Sequence, residues 1–161
     1  MPKPILHPLV EHALEFSETH IRPHASQFDQ DRCIPRELIQ KMASAGFLGS
    51  ILPKEYGGQG INPLDYGYLT QAIGKGCSSV RTLLTVHTSL VGETLVKLGT
   101  PAQKNYYLPD ITSGKKIACF ALSEPAAGSD AASIQTSYQR QGDNFVIDGC
   151  KHWISFADIG D

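Results

Sequence analysis

At 161 residues, with 41% hydrophobic and 19% charged side chains, the chain has room for one domain, or one and part of another. Its composition is that of an ordinary folded protein and excludes intrinsic disorder. A formal net charge of −2 provides no basic field for nucleic acid, and no run of about 18 apolar residues could span a membrane.

The opening Met1-Pro2-Lys3-Pro4-Ile5-Leu6-His7 has no signal-peptide apolar core, and acidic residues follow early, unlike a transit peptide. The expected compartment is the cytoplasm. Residues 5–31 carry Leu6, Leu9, Val10, Ala13, Leu14, Phe16, Ile21, Ala25 and Phe28 at near-helical spacing, with Pro23 placed to break or kink the segment. Pro35 suits the first turn of a second helix that ends on Gly46. Phe47 to Leu52 is a short apolar link. Glu55-Tyr56-Gly57-Gly58-Gln59-Gly60 lacks the Lys-Ser/Thr ending of a phosphate-binding loop and reads as a structural turn.

Asn62-Pro63 opens a helix running to Gly74 or Gly76, cap followed by proline. Ser78 or Ser79 caps a longer helix, Val80 to Leu98, closed by Gly99. Its apolar residues surround much of the circumference, which predicts a central, buried helix. His87 and Thr88 interrupt that surface, and buried polar side chains of this kind usually find a backbone partner. Thr100-Pro101 starts a further helix expected to stop near Pro109.

Near Ser113-Gly114-Lys115-Lys116 the helical period ends. Strands are predicted at Ile117–Leu122, Ile134–Arg140, Asn144–Ile147 and Lys151–Ser155, with hairpin turns at Gly142-Asp143 and Asp148-Gly149. Gln135, Ser137 and Gln139 alternate with Ile134, Thr136 and Tyr138, as in a sheet with one wet face. The fold class is therefore α+β: an α-helical bundle domain over residues 1–115, then the first part of an antiparallel β domain over 116–161, incomplete in this chain. A sheet cut short leaves open edges, so the chain is expected to belong to a longer polypeptide or to pair with another chain.

Cys33, Cys77, Cys119 and Cys150 form no Cys-x-x-Cys pair and read as reduced, mostly buried thiols. His20 and His24 lie one helical turn apart without a third ligand, so no metal site is expected.

The stretch Ala118 to Asp130 leaves an apolar run and breaks into Ser123-Glu124-Pro125-Ala126-Ala127-Gly128-Ser129-Asp130. Pro125 fixes φ and Gly128 opens conformations closed to other residues, so the loop exposes amide groups beside two hydroxyls, suited to a phosphorylated cofactor. By itself it is also simply a strand and a tight turn. A second stretch, Lys151-His152-Trp153-Ile154-Ser155, holds the only Trp.

Together these segments resemble the acyl-CoA dehydrogenase family. Its pattern Leu-Thr/Ser-Glu-Pro-x-Ala-Gly-Ser-Asp, then Gly-Asp, then Gly-x-Lys-x-Trp-Ile-Thr/Ser is met by Leu122 to Asp130, Gly142-Asp143 and Gly149 to Ser155. Tyr56-Gly57-Gly58-x-Gly60 and Gly99-Thr100-Pro101-x-Gln103-Lys104 fit its N-terminal part more loosely. The resemblance implies FAD-dependent α,β-dehydrogenation of an acyl thioester, on CoA or a carrier protein. It further implies a homo-oligomer and an electron-transfer flavoprotein or other acceptor as partner. It implies that Phe120, Ala121, Leu122 and Ser123 line the flavin, with the Ser123 hydroxyl at the ring's polar edge. Gly128 and Ser129 would approach the pyrophosphate, Ser129 also bordering the thioester. Trp153 would pack on the ring beside Ile154, with the Ser155 hydroxyl near N5. The Val80–Leu98 helix would line an acyl pocket.

The family's catalytic base is a Glu in a later helical domain, so no catalytic residue is named here, and Glu124 reads as a loop-positioning residue. Phe156 stands where many members have a small polar residue, and the run Trp153 to Ile159 looks more like the branch acting on carrier-protein-tethered acyl groups. A non-catalytic interaction module that kept the fold is the competing reading.

Overall fold

A computed structural model describes residues 6–161, so the expected helix start at residue 5 lies outside the described residues. Pro8 enters α1 (Pro8–Phe16) at its first turn, where the missing amide costs nothing, and the His7 ring accepts from Leu9 N–H at 3.2 Å. The pitch then loosens into a π turn, Ser17–Ile21, and tightens into a 3-10 turn, Arg22–His24, around Pro23 before α2 (Ala25–Asp31) resumes. The break falls where proline removes an amide from the ladder. α3 (Arg36–Ser44) follows Pro35 and ends at Gly46, whose φ of 80° is the left-handed closure that glycine favours.

The apolar link carries Phe47, Leu48 and Leu52 fully into the interior. The glycine-rich stretch after it is a structural turn. A Cβ on Gly58 would lie 2.1 Å from Leu52 O, so only glycine lets the loop fold back there. α4 (Pro63–Gly76) is capped by Asn62, whose Oδ1 accepts from Asp65 N–H at 2.9 Å.

The Val80–Leu98 segment departs from the expected single helix. It is α5 (Ser78–Leu84), a π turn over Thr85–Gly92, and α6 (Glu93–Leu98). Nor is it buried along its length: Leu83, Leu84, His87 and Thr88 face inward, whereas Leu90 and Leu98 are exposed. α7 (Pro101–Thr112) opens on a reciprocal Thr100–Gln103 capping box and passes Pro109, ending one turn beyond the expected stop. The Pro109 carbonyl accepts from Ser113 N–H at 3.1 Å and also from the Ser113 and Thr112 hydroxyls, at 2.7 and 3.1 Å.

α1 packs on α4 and α4 on α5 around a core that includes Phe16, Ile39, Met42, Phe47, Leu69 and Leu83. A smaller cluster, Leu52, Leu108 and Ile111, joins α7 to the apolar link.

Past residue 116 the predicted strands are only partly realised. β1 (Ser137–Gln141) and β2 (Asn144–Asp148) form an antiparallel hairpin with Tyr138 opposite Ile147 and Arg140 opposite Phe145. Gly142, at φ 63°, begins its two-residue turn, as a primed turn requires. Every residue of both strands is exposed, so the expected dry face has nothing packed on it. Ile117–Leu122 and Lys151–Ser155 join no ladder. In the first, side chains and a distant amide take the polar groups that a neighbouring strand would use; in the second, Trp153 sits at φ 58°, outside the strand region.

Candidate functional site

The segment leaving the helical region is fastened at its root. Ile117 is buried, its N–H donates to Asp161 Oδ2 at 2.8 Å, and its carbonyl accepts from Asp161 N–H at 3.0 Å. The Ala118 N–H donates to His87 Nδ1 at 3.0 Å. Cys119 Sγ donates to Phe156 O at 3.1 Å; burial first, then Asp158 and Asp161, raise the pKa of this thiol. The expectation of mostly buried cysteines fails. Cys33 and Cys150 are exposed, and Cys77 and Cys119 only half-buried, though all four are free thiols.

From Phe120 the chain opens to solvent, with Phe120 and Leu122 both exposed. It then folds through Pro125-Ala126, closed by the Glu124 and Ala127 amides donating to each other's carbonyls at 2.8 and 3.2 Å. At this turn Glu124, 9% exposed, points its carboxylate inward. Oε2 accepts from Gln135 N–H at 2.7 Å. Oε1 accepts from Thr136 N–H at 2.9 Å, from Lys151 Nζ at 2.9 Å and from the Thr136 hydroxyl. The hydroxyl, the Gln135 amide and the ammonium lower the carboxyl pKa to about 2. With both oxygens occupied, the carboxylate ties the loop together and is not free to take a substrate proton.

Lys151 extends the link, its Nζ also donating to Leu122 O at 2.9 Å. Gly149 lets the returning chain come this close, since a Cβ there would lie 2.8 Å from Thr136 Cα. Next to it, His152 N–H donates to Ser123 O at 2.8 Å. Two stretches far apart in sequence thus lie side by side. Trp153 projects from the second, 84% exposed, its ring stacked on His152 at 4.5 Å and 17°.

Ser123 and Ile154 are half-buried, while Ala121, Gly128, Ser129 and Ser155 are exposed. Among the described residues, the amides of Phe120 to Ser123, of Gly128 and Ser129, and of Trp153 to Ser155 have no intramolecular partner. Apolar faces on Phe120, Leu122 and Trp153 beside unspent amides fit a flat heteroaromatic ring with a polar edge. Ser155 and Phe156 also help line a cleft of about 430 Å³ against Phe28, Arg32 and Ser79.

Thr136, Gln135 and Asp161 hold this arrangement yet carry no signal in a single sequence, because their roles depend on partners tens of residues away. Among the described residues no helix is long and apolar enough to cross a membrane, and no group of three His, Cys, Asp or Glu is placed to hold a metal.

Residues 6–115 match the acyl-CoA dehydrogenase N-terminal domain, and residues 119–161 match the acyl-CoA dehydrogenase middle domain. The short-chain specific acyl-CoA dehydrogenase of Homo sapiens mitochondria is 37% identical over 149 residues, covering 92% of this chain and 36% of its own. A glutaryl-CoA dehydrogenase from Mycobacterium smegmatis, solved in complex with FADH2, superposes with a TM-score of 0.91 at 30% identity, over 96% of this chain and 40% of that one. The prolyl acyl carrier protein oxidase AnaB superposes with a TM-score of 0.88 at 30% identity, over 96% of this chain and 41% of that one. The chain spans little more than a third of the length of the human relative.

Proposed function

The chain belongs to the acyl-CoA dehydrogenase family, and from that premise we propose that it supplies the N-terminal part of the FAD and substrate site of an enzyme that dehydrogenates acyl thioesters between the α and β carbons. The observation that carries this reading is the bond from His152 N–H to Ser123 O, which sets the two motif segments side by side with their amides unspent.

Phe120, Ala121, Leu122 and Ser123 form one side of the cofactor site, and Trp153, Ile154 and Ser155 the other. The exposed apolar faces stack and exclude water, while free amides and the Ser123 and Ser155 hydroxyls meet polar ring atoms. Gly128 and Ser129 offer amides to the pyrophosphate, and Ser129 borders the thioester. A bound FAD supplies the two-electron acceptor for the reaction. The proton-abstracting base is assigned to a part of the enzyme outside this chain.

We divide the chain into a helical domain over residues 1–115 and the first part of a β domain over 116–161; the change from helices to a hairpin supports this. The acyl group rides on CoA or a carrier protein. The likeness to AnaB, a prolyl acyl carrier protein oxidase, supports the carrier protein. The electron acceptor is an electron-transfer flavoprotein or an equivalent, and the enzyme is a homo-oligomer. Four free thiols support a reducing compartment, here the cytoplasm.

The visible spectrum of the purified full-length protein tests the proposal. Flavin absorption, bleached on adding an acyl thioester, is expected. A well-folded, colourless protein that takes up no FAD would make the chain an interaction module instead.

A further inference from the structure

We propose that His87 is a positioning residue for the cofactor segment, its imidazole setting where residues 117–123 leave the helical core. The inference rests on the flavin reading above for its functional consequence, though not for its geometry.

His87 is fully buried within the π turn Thr85–Gly92. Such a turn carries an extra residue per helical turn and re-aims the side chains around it. Two neighbours turn inward as a result. Thr88 Oγ1 donates to Leu48 O at 2.8 Å, locking the helix to the apolar link. His87 reaches between the end of α7 and the departing segment, with Nε2 at 2.9 Å from Ile111 O and Nδ1 at 3.0 Å from Ala118 N.

These partners dictate the protonation state. A carbonyl only accepts and an amide only donates, so the proton sits on Nε2 and Nδ1 keeps its lone pair. An imidazolium would turn an N–H toward the Ala118 N–H. Burial lowers the His87 pKa and so favours the neutral ring that this geometry requires.

The identity of the side chain follows from the accounting of main-chain groups. Ile111 O also accepts from Gly114 N–H at 3.0 Å, so it keeps a partner without the ring. The Ala118 N–H has only His87. Beyond Ala118, the amides of Phe120 to Ser123 are unpaired among the described residues, so this is the last main-chain donor fastened before the cofactor segment begins. An apolar residue of similar volume would fill the space and release the Ala118 amide, leaving the segment's root held by main-chain bonds only at Ile117.

His87→Leu and His87→Gln in the full-length protein test this, since glutamine carries an acceptor and a donor at comparable reach. In FAD-free protein, His87→Leu is expected to raise amide exchange at Ala118 about tenfold, with exchange in α3 and α4 unchanged. The FAD dissociation constant rises about tenfold in parallel. His87→Gln keeps both within about threefold of the parent. Parent-like exchange in His87→Leu, or equal damage from both substitutions, would overturn the proposal. Should His87→Leu fail to fold, the nitrogen shifts of His87 in the parent protein decide: the neutral Nε2–H tautomer supports it, and any other state overturns it. A parent protein that binds no flavin sinks the cofactor reading alone, because the exchange comparison is made without FAD.

Discussion

Between residues 6 and 115 the side chains hidden from solvent are mostly apolar and come from every α-helix except α6, from Val10 in α1 to Ile111 in α7. Between 116 and 161 the buried residues are Ile117, Glu124 and Ala127. The first region is held by non-directional burial that many neighbours share. The second is held by a few directional bonds, at Asp161, His87, Glu124, Lys151 and His152, each with one or two named partners. A region of that kind keeps its apolar faces open, as Phe120, Leu122, Tyr138, Phe145, Ile147 and Trp153 do here. Buried core and open apolar surface therefore sit in different regions of the molecule.

The largest effect on this contrast is expected in the core. Phe47 is fully buried and meets Phe16 edge-on at 5.1 Å, so Phe47→Ala should cost about 3–5 kcal/mol in urea unfolding. A loss under about 1 kcal/mol would mean that burial does not hold the helical half.

Glu124→Gln strikes the polar half. It removes the charge that Lys151 pairs with and turns two donor hydrogens toward a site already ringed by donors. FAD binding should weaken about tenfold while the helical unfolding midpoint holds. Acid should reproduce this loss. The folded state favours the ionised carboxylate, whose pKa falls from 4.5 to about 2, so its contribution is complete above pH 4.5 and fades as pH drops toward 2. Amide exchange at Gln135 and Thr136 across that window reads it, and exchange that ignores pH would count against the carboxylate as the tie.

The smallest stability change belongs to Trp153. At 84% exposure, Trp153→Ala should move the thermal unfolding free energy by no more than about 0.5 kcal/mol, yet it should alter flavin affinity and the flavin spectrum. A large stability loss with an unchanged spectrum would return the indole to plain packing.

The helical half was largely legible in advance because its signals are local. Asn62-Pro63, Thr100-Pro101 and Gly46 mark helix ends through φ and amide chemistry within one turn. What failed there was pitch. The π turn at Thr85–Gly92 answers to packing against Leu48 and Leu52, and no spacing in the sequence announces it. In the other half the expected strands Ile117–Leu122 and Lys151–Ser155 have strand-like composition, but a strand exists only when a neighbour takes its backbone bonds. Here the bonds go to a histidine, a loop aspartate and a lysine ammonium.

By itself the sequence determined the helical division, most helix ends, the Gly142-Asp143 turn and the two motif segments that mark the family, since each is encoded in neighbouring residues. Tertiary structure alone decided that Glu124 gathers Gln135, Thr136 and Lys151, that His152 lies against Ser123, and that His87 anchors Ala118. Those contacts join residues 11 to 31 positions apart, and a hydrogen bond over such a distance is specified by how the whole chain packs rather than by any stretch of it.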